Sequence, residues 1–216
     1  NTGVVASDVA AVGTARNMPA SATYGGDKGI FGFGSASDTT NLVTNAGVVA
    51  TDVTAVATAK SALSANMYGY DKAIFGFGNA GAGNTNTTNL VTNQGVVGSD
   101  VTGIGSSRTY LSCAGYGLDK AIFGYGVISA ATSITNKVSN LGVVATDTAG
   151  VGTAKNGSAA TTYGADKAIF GYGRNSAAAY ISITNLVNSV GVVATDTTGV
   201  GTARWALAAQ GYSLSA

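Results

Sequence analysis

Gly142-Val-Val-Ala-Thr-Asp-Thr-Ala-Gly-Val-Gly-Thr-Ala-Lys155 and Gly191-Val-Val-Ala-Thr-Asp-Thr-Thr-Gly-Val-Gly-Thr-Ala-Arg204 differ at only two of their fourteen positions. Looser copies begin at Gly3, Gly47 and Gly95, so five Gly-Val-Val starts follow one another at steps of 44, 48, 47 and 49 residues. A period of this length marks a supersecondary unit that cannot bury its apolar face alone and stacks on its neighbours. All 216 residues therefore read as a single repeat domain.

The charges keep the same period. An Asp follows each Gly-Val-Val (Asp8, Asp52, Asp100, Asp147, Asp196), and eight residues later comes a basic residue (Arg16, Lys60, Arg108, Lys155, Arg204). Eleven residues further stands an Asp-Lys pair: Asp27-Lys28, Asp71-Lys72, Asp119-Lys120 and Asp166-Lys167. Of the 21 charged residues, only Asp38, Lys137 and Arg174 fall outside this scheme. A charge that returns with every repeat is expected to serve the repeat's own structure. Asp52, Lys60, Asp71 and their equivalents should make ordered contacts, each basic residue with an Asp of a neighbouring repeat. After Asp-Lys come Ile-Phe-Gly-aromatic-Gly (Ile74–Gly78) and then a Thr-Asn-Leu-Val segment (Thr88–Val91). Length varies only between those two, at 35–39, 79–87, 127–134 and 174–183. Insertions of this kind collect in loops on one face, often the binding face.

Each unit reads as four short strands. In the second unit they fall at 61–68, 72–77, 88–92 and 95–102, rich in β-branched and aromatic residues and separated by Gly, Asn, Asp and Ser. Helix formers are scarce, with no Glu, while Gly occurs 32 times. The expectation is an all-β fold, a β-propeller of four-stranded antiparallel blades, because known blade repeats have about this length. Four blades are complete. A split fifth has an inner strand at 205–212 and an outer strand at 4–9. Either these ends meet, or another copy or flanking sequence pairs with them, since bare strand edges seek partners. The chain opens in mid-repeat without Met, which reads as part of a longer array or a processed product.

The run Thr-Ala-Arg, small residues, Asp-Lys-Ala-Ile-Phe-Gly-Tyr-Gly, a variable loop and Thr-Asn-Leu-Val resembles a kelch repeat. Val-Val stands roughly where kelch blades carry Trp. The wording also resembles repeats of tailed-bacteriophage structural proteins, over nearly the whole chain. That resemblance implies a structural or host-attachment component of a virion, located on the virion or outside the cell, with other virion proteins or a host-surface glycan as partner. A lectin-like propeller or a protein-interaction scaffold is the alternative.

Composition narrows the chemistry. The chain has no His, hence no Ser–His pair and no His metal site, and Asp is its only carboxylate. No Asp-x-Asp-x-Asp loop is present. No enzyme activity, cofactor or metal is expected. The net charge of +1 is dispersed, which gives no footprint for nucleic acid, and no apolar stretch is long enough to span a bilayer. Cys113 reads as a small buried residue. The candidate ligand-facing side chains are Phe33, Phe77, Tyr125 and Tyr172, at one equivalent position, with Tyr180 and Arg174. For the first four, packing between blades, with the Tyr hydroxyls partnered, competes with stacking on sugar rings.

Overall fold

A computed structural model describes residues 7–35 and 37–211. Among them there is no helix; the chain is all-β. Sheet one holds β1 (Ala20–Tyr24), β2 (Lys28–Gly32), β3 (Thr39–Val43) and β4 (Val53–Thr54). Sheet two holds β5 (Ser64–Tyr68), β6 (Lys72–Gly76) and β7 (Thr88–Val91). Sheet three holds β8 (Ser112–Tyr116), β9 (Lys120–Gly124) and β10 (Thr135–Val138). Sheet four holds β11 (Lys155–Asn156), β12 (Ala159–Tyr163), β13 (Lys167–Asn175) and β14 (Tyr180–Val187). All pairings are antiparallel, and the register recurs: Tyr24 faces Lys28, Tyr68 faces Lys72, Tyr116 faces Lys120 and Tyr163 faces Lys167.

The expected fourth strand is present only in rudiment. Sheet one has the two-residue β4, whereas the later Gly-Val-Val segments touch the third strand at single bridges, such as Val91–Val97 and Thr88–Val101. Between these two bridges the inner strand advances three residues and the outer segment four. The extra residue bows the outer segment away from the ladder, as in a β-bulge. The side chain of Asn89 fills the gap, donating to the Gly98 carbonyl at 3.2 Å. Asn41, Asn136 and Asn185 do the same to Ala50, Ala145 and Ala194.

Consecutive sheets pack against each other through one repeated contact. Strands β2, β6, β9 and β13 each contain Phe-Gly. The Phe ring of one sheet lies on the Gly of the sheet before it. A methyl placed on Gly32 would stand 2.7 Å from the Phe75 ring, on Gly76 2.8 Å from Phe123, and on Gly124 2.8 Å from Phe170. Phe75, Phe123 and Phe170 are fully buried. Each also meets the next aromatic of the preceding sheet edge-on: Phe33–Phe75 at 5.2 Å, Phe77–Phe123 at 5.1 Å and Tyr125–Phe170 at 5.2 Å. Burying such a ring is worth about 1.5–3 kcal/mol, and an edge-to-face pair adds about 0.5–1.5.

Hydrogen bonds between equivalent residues run along the stack. Ala62 N–H donates to Met18, Tyr110 to Ala62, Gly157 to Tyr110 and Ala206 to Gly157. The first strands follow one another in the order β1, β5, β8, β12, each against the next.

The termini differ from expectation. Residues 205–211 form no strand but dock on sheet four, where Trp205 Nε1 donates to Asn156 Oδ1 at 3.1 Å. Residues 7–9 form no strand either, and 4–6 and 212 lie outside the described residues.

Gly76→Ala should cost roughly 1–3 kcal/mol by chemical denaturation, because Phe123 must move. Gly171→Ala, whose added methyl meets only the Thr184 methyl at 3.2 Å, should cost clearly less. Equal losses would contradict the ring-on-glycine contact.

Candidate functional site

The periodic charges build one network per repeat. Lys60, Arg108 and Lys155 are fully buried despite their charge. Each rests on the aromatic ring of the preceding repeat: Lys60 over Phe33 at 5.0 Å, Arg108 over Phe77 at 4.2 Å and Lys155 over Tyr125 at 4.5 Å. Each is then capped by an Asn on the third strand of its own sheet. Lys60 donates to Asn89 Oδ1 at 2.6 Å, Arg108 to Asn136 at 2.5 Å and Lys155 to Asn185 at 2.7 Å. The Asn amide in turn donates to the repeat Asp: Asn89 to Asp100 at 2.8 Å, Asn136 to Asp147 and Asn185 to Asp196 at 2.9 Å. The Asp finally accepts from the Thr or Ser two residues before the cation. Asp147 takes the N–H and hydroxyl of Ser106, and Asp196 those of Thr153.

The partner expected for the cation was an Asp of a neighbouring repeat. In the structure it is an Asn of the same sheet, and among the described residues only Arg108 approaches a repeat Asp, 4.0 Å from Asp147. Geometry decides this. The Asp is held on the bowed outer segment, and the Asn lies between it and the cation. A neutral amide can accept from the cation with one end and donate to the carboxylate with the other. The signal for these residues was available, since Asn41, Asn89, Asn136 and Asn185 recur in every Thr-Asn segment, even where Lys137 replaces Leu.

Burial pushes Lys60 and Lys155 down to about 8, against the opposing pull of Asp100 and Asp196. It lowers Arg108 to about 10, opposed by Asp147. For Asp100, Asp147 and Asp196 partial burial favours the neutral acid, but the Thr or Ser and Asn hydrogen bonds outweigh it and hold these carboxyls below the usual range. The Asp-Lys pairs sit at the hairpin turns, with half-exposed Lys side chains bonded to the adjacent Asp, from 2.6 Å at Lys120–Asp119 to 3.1 Å at Lys28–Asp27.

Of the candidate ligand-facing residues, Phe33, Phe77 and Tyr125 are fully buried between sheets, so a ligand reaches them only if the stack opens. Against the expectation of partnered hydroxyls, the Tyr125 hydroxyl has no hydrogen-bond partner among the described residues. Tyr172, at the end of the stack, is half-buried and donates to the Val200 carbonyl at 2.9 Å. Arg174 and Tyr180 face each other across the exposed β13–β14 hairpin, where Arg174 Nε donates to Ala178 O at 3.1 Å. The variable segments at 79–87, 127–134 and 174–183 have exposed tips and half-buried bases. Two of them touch, with Asn84 donating to the carbonyls of Val127 and Ile128 at 3.0 Å.

Two surface positions were not legible beforehand. The turns joining first and second strands read Gly-X-Asp, and Gly25, Gly69 and Gly117 donate to the Asp carbonyl of the next turn at 2.7 Å. Position X is Gly26, Tyr70, Leu118 and Ala165, and all four have φ between 65° and 82°. Tyr70 is 63% and Leu118 58% exposed. A side chain in the left-handed region costs roughly 1–2 kcal/mol, and such strain concentrates where function holds it. Position X of all four turns lines a cavity of about 1040 Å3, onto which the first strands of the four sheets converge. Its lining is mostly small and apolar, with Thr23, Asn66 and Thr162 among its polar side chains. Cys113 also lines it, and burial raises its thiol far above the reactive range.

Among the described residues no group of three or more His, Cys or Asp is placed to hold a metal ion, and no helix is long and apolar enough to cross a membrane. No protein-family model and no curated protein sequence matches the chain.

Stability should rise with pH between about 8 and 10. In that window the unfolded chain still protonates Lys60 and Lys155 while the folded chain has released those protons, so the unfolded state binds more protons. The gain should be on the order of 2 kcal/mol per lysine at pH 10. Above that, burial of Tyr68 and Tyr116 reverses the slope, since their folded-state ionisation is raised. Denaturant titrations across this range test it, and Lys155→Met should halve the rise.

Proposed function

We propose that the chain is a non-catalytic structural or host-attachment component of a bacteriophage virion, its sheets set as blades of a β-propeller. The observation that carries the reading is a division of labour. Most of the side chains that recur are engaged inside the repeat network, whereas those that vary lie outward. Tyr70, Leu118, Arg174 and Tyr180 are exposed, each at a position that differs from repeat to repeat. Such a scaffold presents changeable surface residues on a constant frame, as attachment to a host requires.

Support for the propeller is the face-to-face stacking of consecutive sheets and the convergence of all four first strands on one cavity. The resemblance to phage repeats supplies the virion setting. Glycan binding is the second reading, favoured by the exposed rings of Tyr70 and Tyr180, 63% and 61% exposed, whose faces suit sugar stacking.

Fluorescently labelled chain is expected to bind intact bacteria of a susceptible host saturably. Arg174→Ala with Tyr180→Ala should weaken binding at least tenfold and leave the melting temperature within about 2 °C, as surface changes do. Tyr70→Gly should weaken binding yet raise stability by roughly 1 kcal/mol, because glycine relieves the left-handed strain. Loss of binding that tracks loss of stability would contradict the reading, as would turnover of the bound surface polymer.

A further inference from the structure

The two ends of the stack are complementary halves of the contact that joins its interior sheets. Phe31 is the counterpart of Phe75, Phe123 and Phe170, yet it is 44% exposed, and no glycine of the described residues lies against its ring. Gly171, at the other end, is the counterpart of Gly32, Gly76 and Gly124, and no ring of the described residues is seated on it. The cations divide in the same way. Arg16 reaches its own Asn41 and the Thr39 carbonyl but has no aromatic ring below it among the described residues. Arg204 lies over Tyr172 at 5.2 Å but is exposed, with no third-strand Asn to receive it among the described residues. Asp8 and Thr202, counterparts of Asp196 and Thr153, are both exposed.

Residues of both end sheets, Phe31 and Thr162 among them, line the same cavity. Resting on the propeller reading, we propose that the interval between the two ends is a docking site for a β-hairpin of another polypeptide carrying the repeat's own second- and third-strand chemistry, Ile-Phe-Gly-aromatic-Gly followed by Thr-Asn. One such hairpin satisfies both ends together. Its Phe seats on Gly171, its Gly receives Phe31, its second aromatic lies under Arg16 and its Asn accepts from Arg204. The three interior junctions supply the template for each of these contacts. The site takes strands by completing a sheet, so backbone pairing gives affinity and the Phe and Asn give specificity.

The probe is a synthetic peptide of residues 71–91, titrated into the full chain by calorimetry and followed by thermal melting. Saturable one-to-one binding and a raised melting temperature are expected. Phe31→Ala in the chain should weaken binding at least tenfold, and it does not endanger the fold because Phe31 is exposed. Phe75→Ala or Asn89→Ala in the peptide should weaken it similarly. No saturable binding, or binding indifferent to all three changes, overturns the proposal. Self-association of the chain that Phe31→Ala abolishes, without peptide binding, also overturns it and places a second copy on the face.

Discussion

A buried cation held between two successive repeats is the constraint on which the structure depends. Lys60, Arg108 and Lys155 are taken out of water completely. Desolvating an ammonium or guanidinium costs several kcal/mol unless its environment compensates. Here the compensation comes from both neighbours. The preceding repeat offers the face of Phe33, Phe77 or Tyr125, and the cation's own sheet offers the Asn oxygen and, for Arg108, the Tyr125 carbonyl at 2.9 Å. No repeat holds its cation alone. The sheets are therefore coupled through polar groups as well as through the Phe-on-Gly contact. Without the Asn of its own sheet the charge stays exposed, as Arg204 shows at the end of the stack.

The same network explains the shape of each sheet. Asn89 and its equivalents occupy the space in which a regular fourth strand would pair. The outer segment bows around the amide and returns to the ladder at one bridge. The bow brings Asp100 to the Thr58 hydroxyl and N–H, which fixes the loop that carries Lys60. Strand count, loop position and charge burial thus share one cause, an amide that accepts on one side and donates on the other. The second repeat makes this approach with Ala57, whereas the third makes it through a glycine in the left-handed region. A side chain on Gly105, whose φ is +101°, would run into Asp147 and Asn136.

Much of this was legible in the sequence. The Gly-Val-Val period gave the repeat, the strand-forming runs gave the all-β class and three strands of each unit, and the fixed spacings marked the charges that the fold uses. What escaped has physical reasons. Val-Val in an alternating context reads as a strand, but Val48, Val96, Val143 and Val192 point outward from a bowed segment. The Asn was passed over because an uncharged residue in a strand carries no obvious electrostatic role until its partners are seen. The aromatics at 33, 77 and 125 could stack on sugars or pack between sheets, and only three-dimensional placement shows them under the next cation. Tyr70 and Leu118 carry no signal in the sequence, because the left-handed backbone at that position is a property of the folded turn, shared by Gly26 and Ala165.

The cation–Asn clasp is tested most directly by a double-mutant cycle on Lys60 and Asn89, read as unfolding free energy in denaturant at pH 7. Asn89→Leu alone should cost roughly 3–5 kcal/mol, because it strands a buried ammonium. In a Lys60→Met background the same substitution should cost far less, which gives a coupling of about 1–3 kcal/mol between the two sites. Additive losses, with no coupling beyond about 0.5 kcal/mol, would contradict the clasp and leave the sheets joined by the Phe-on-Gly contact, the aromatic pairs and the backbone hydrogen bonds.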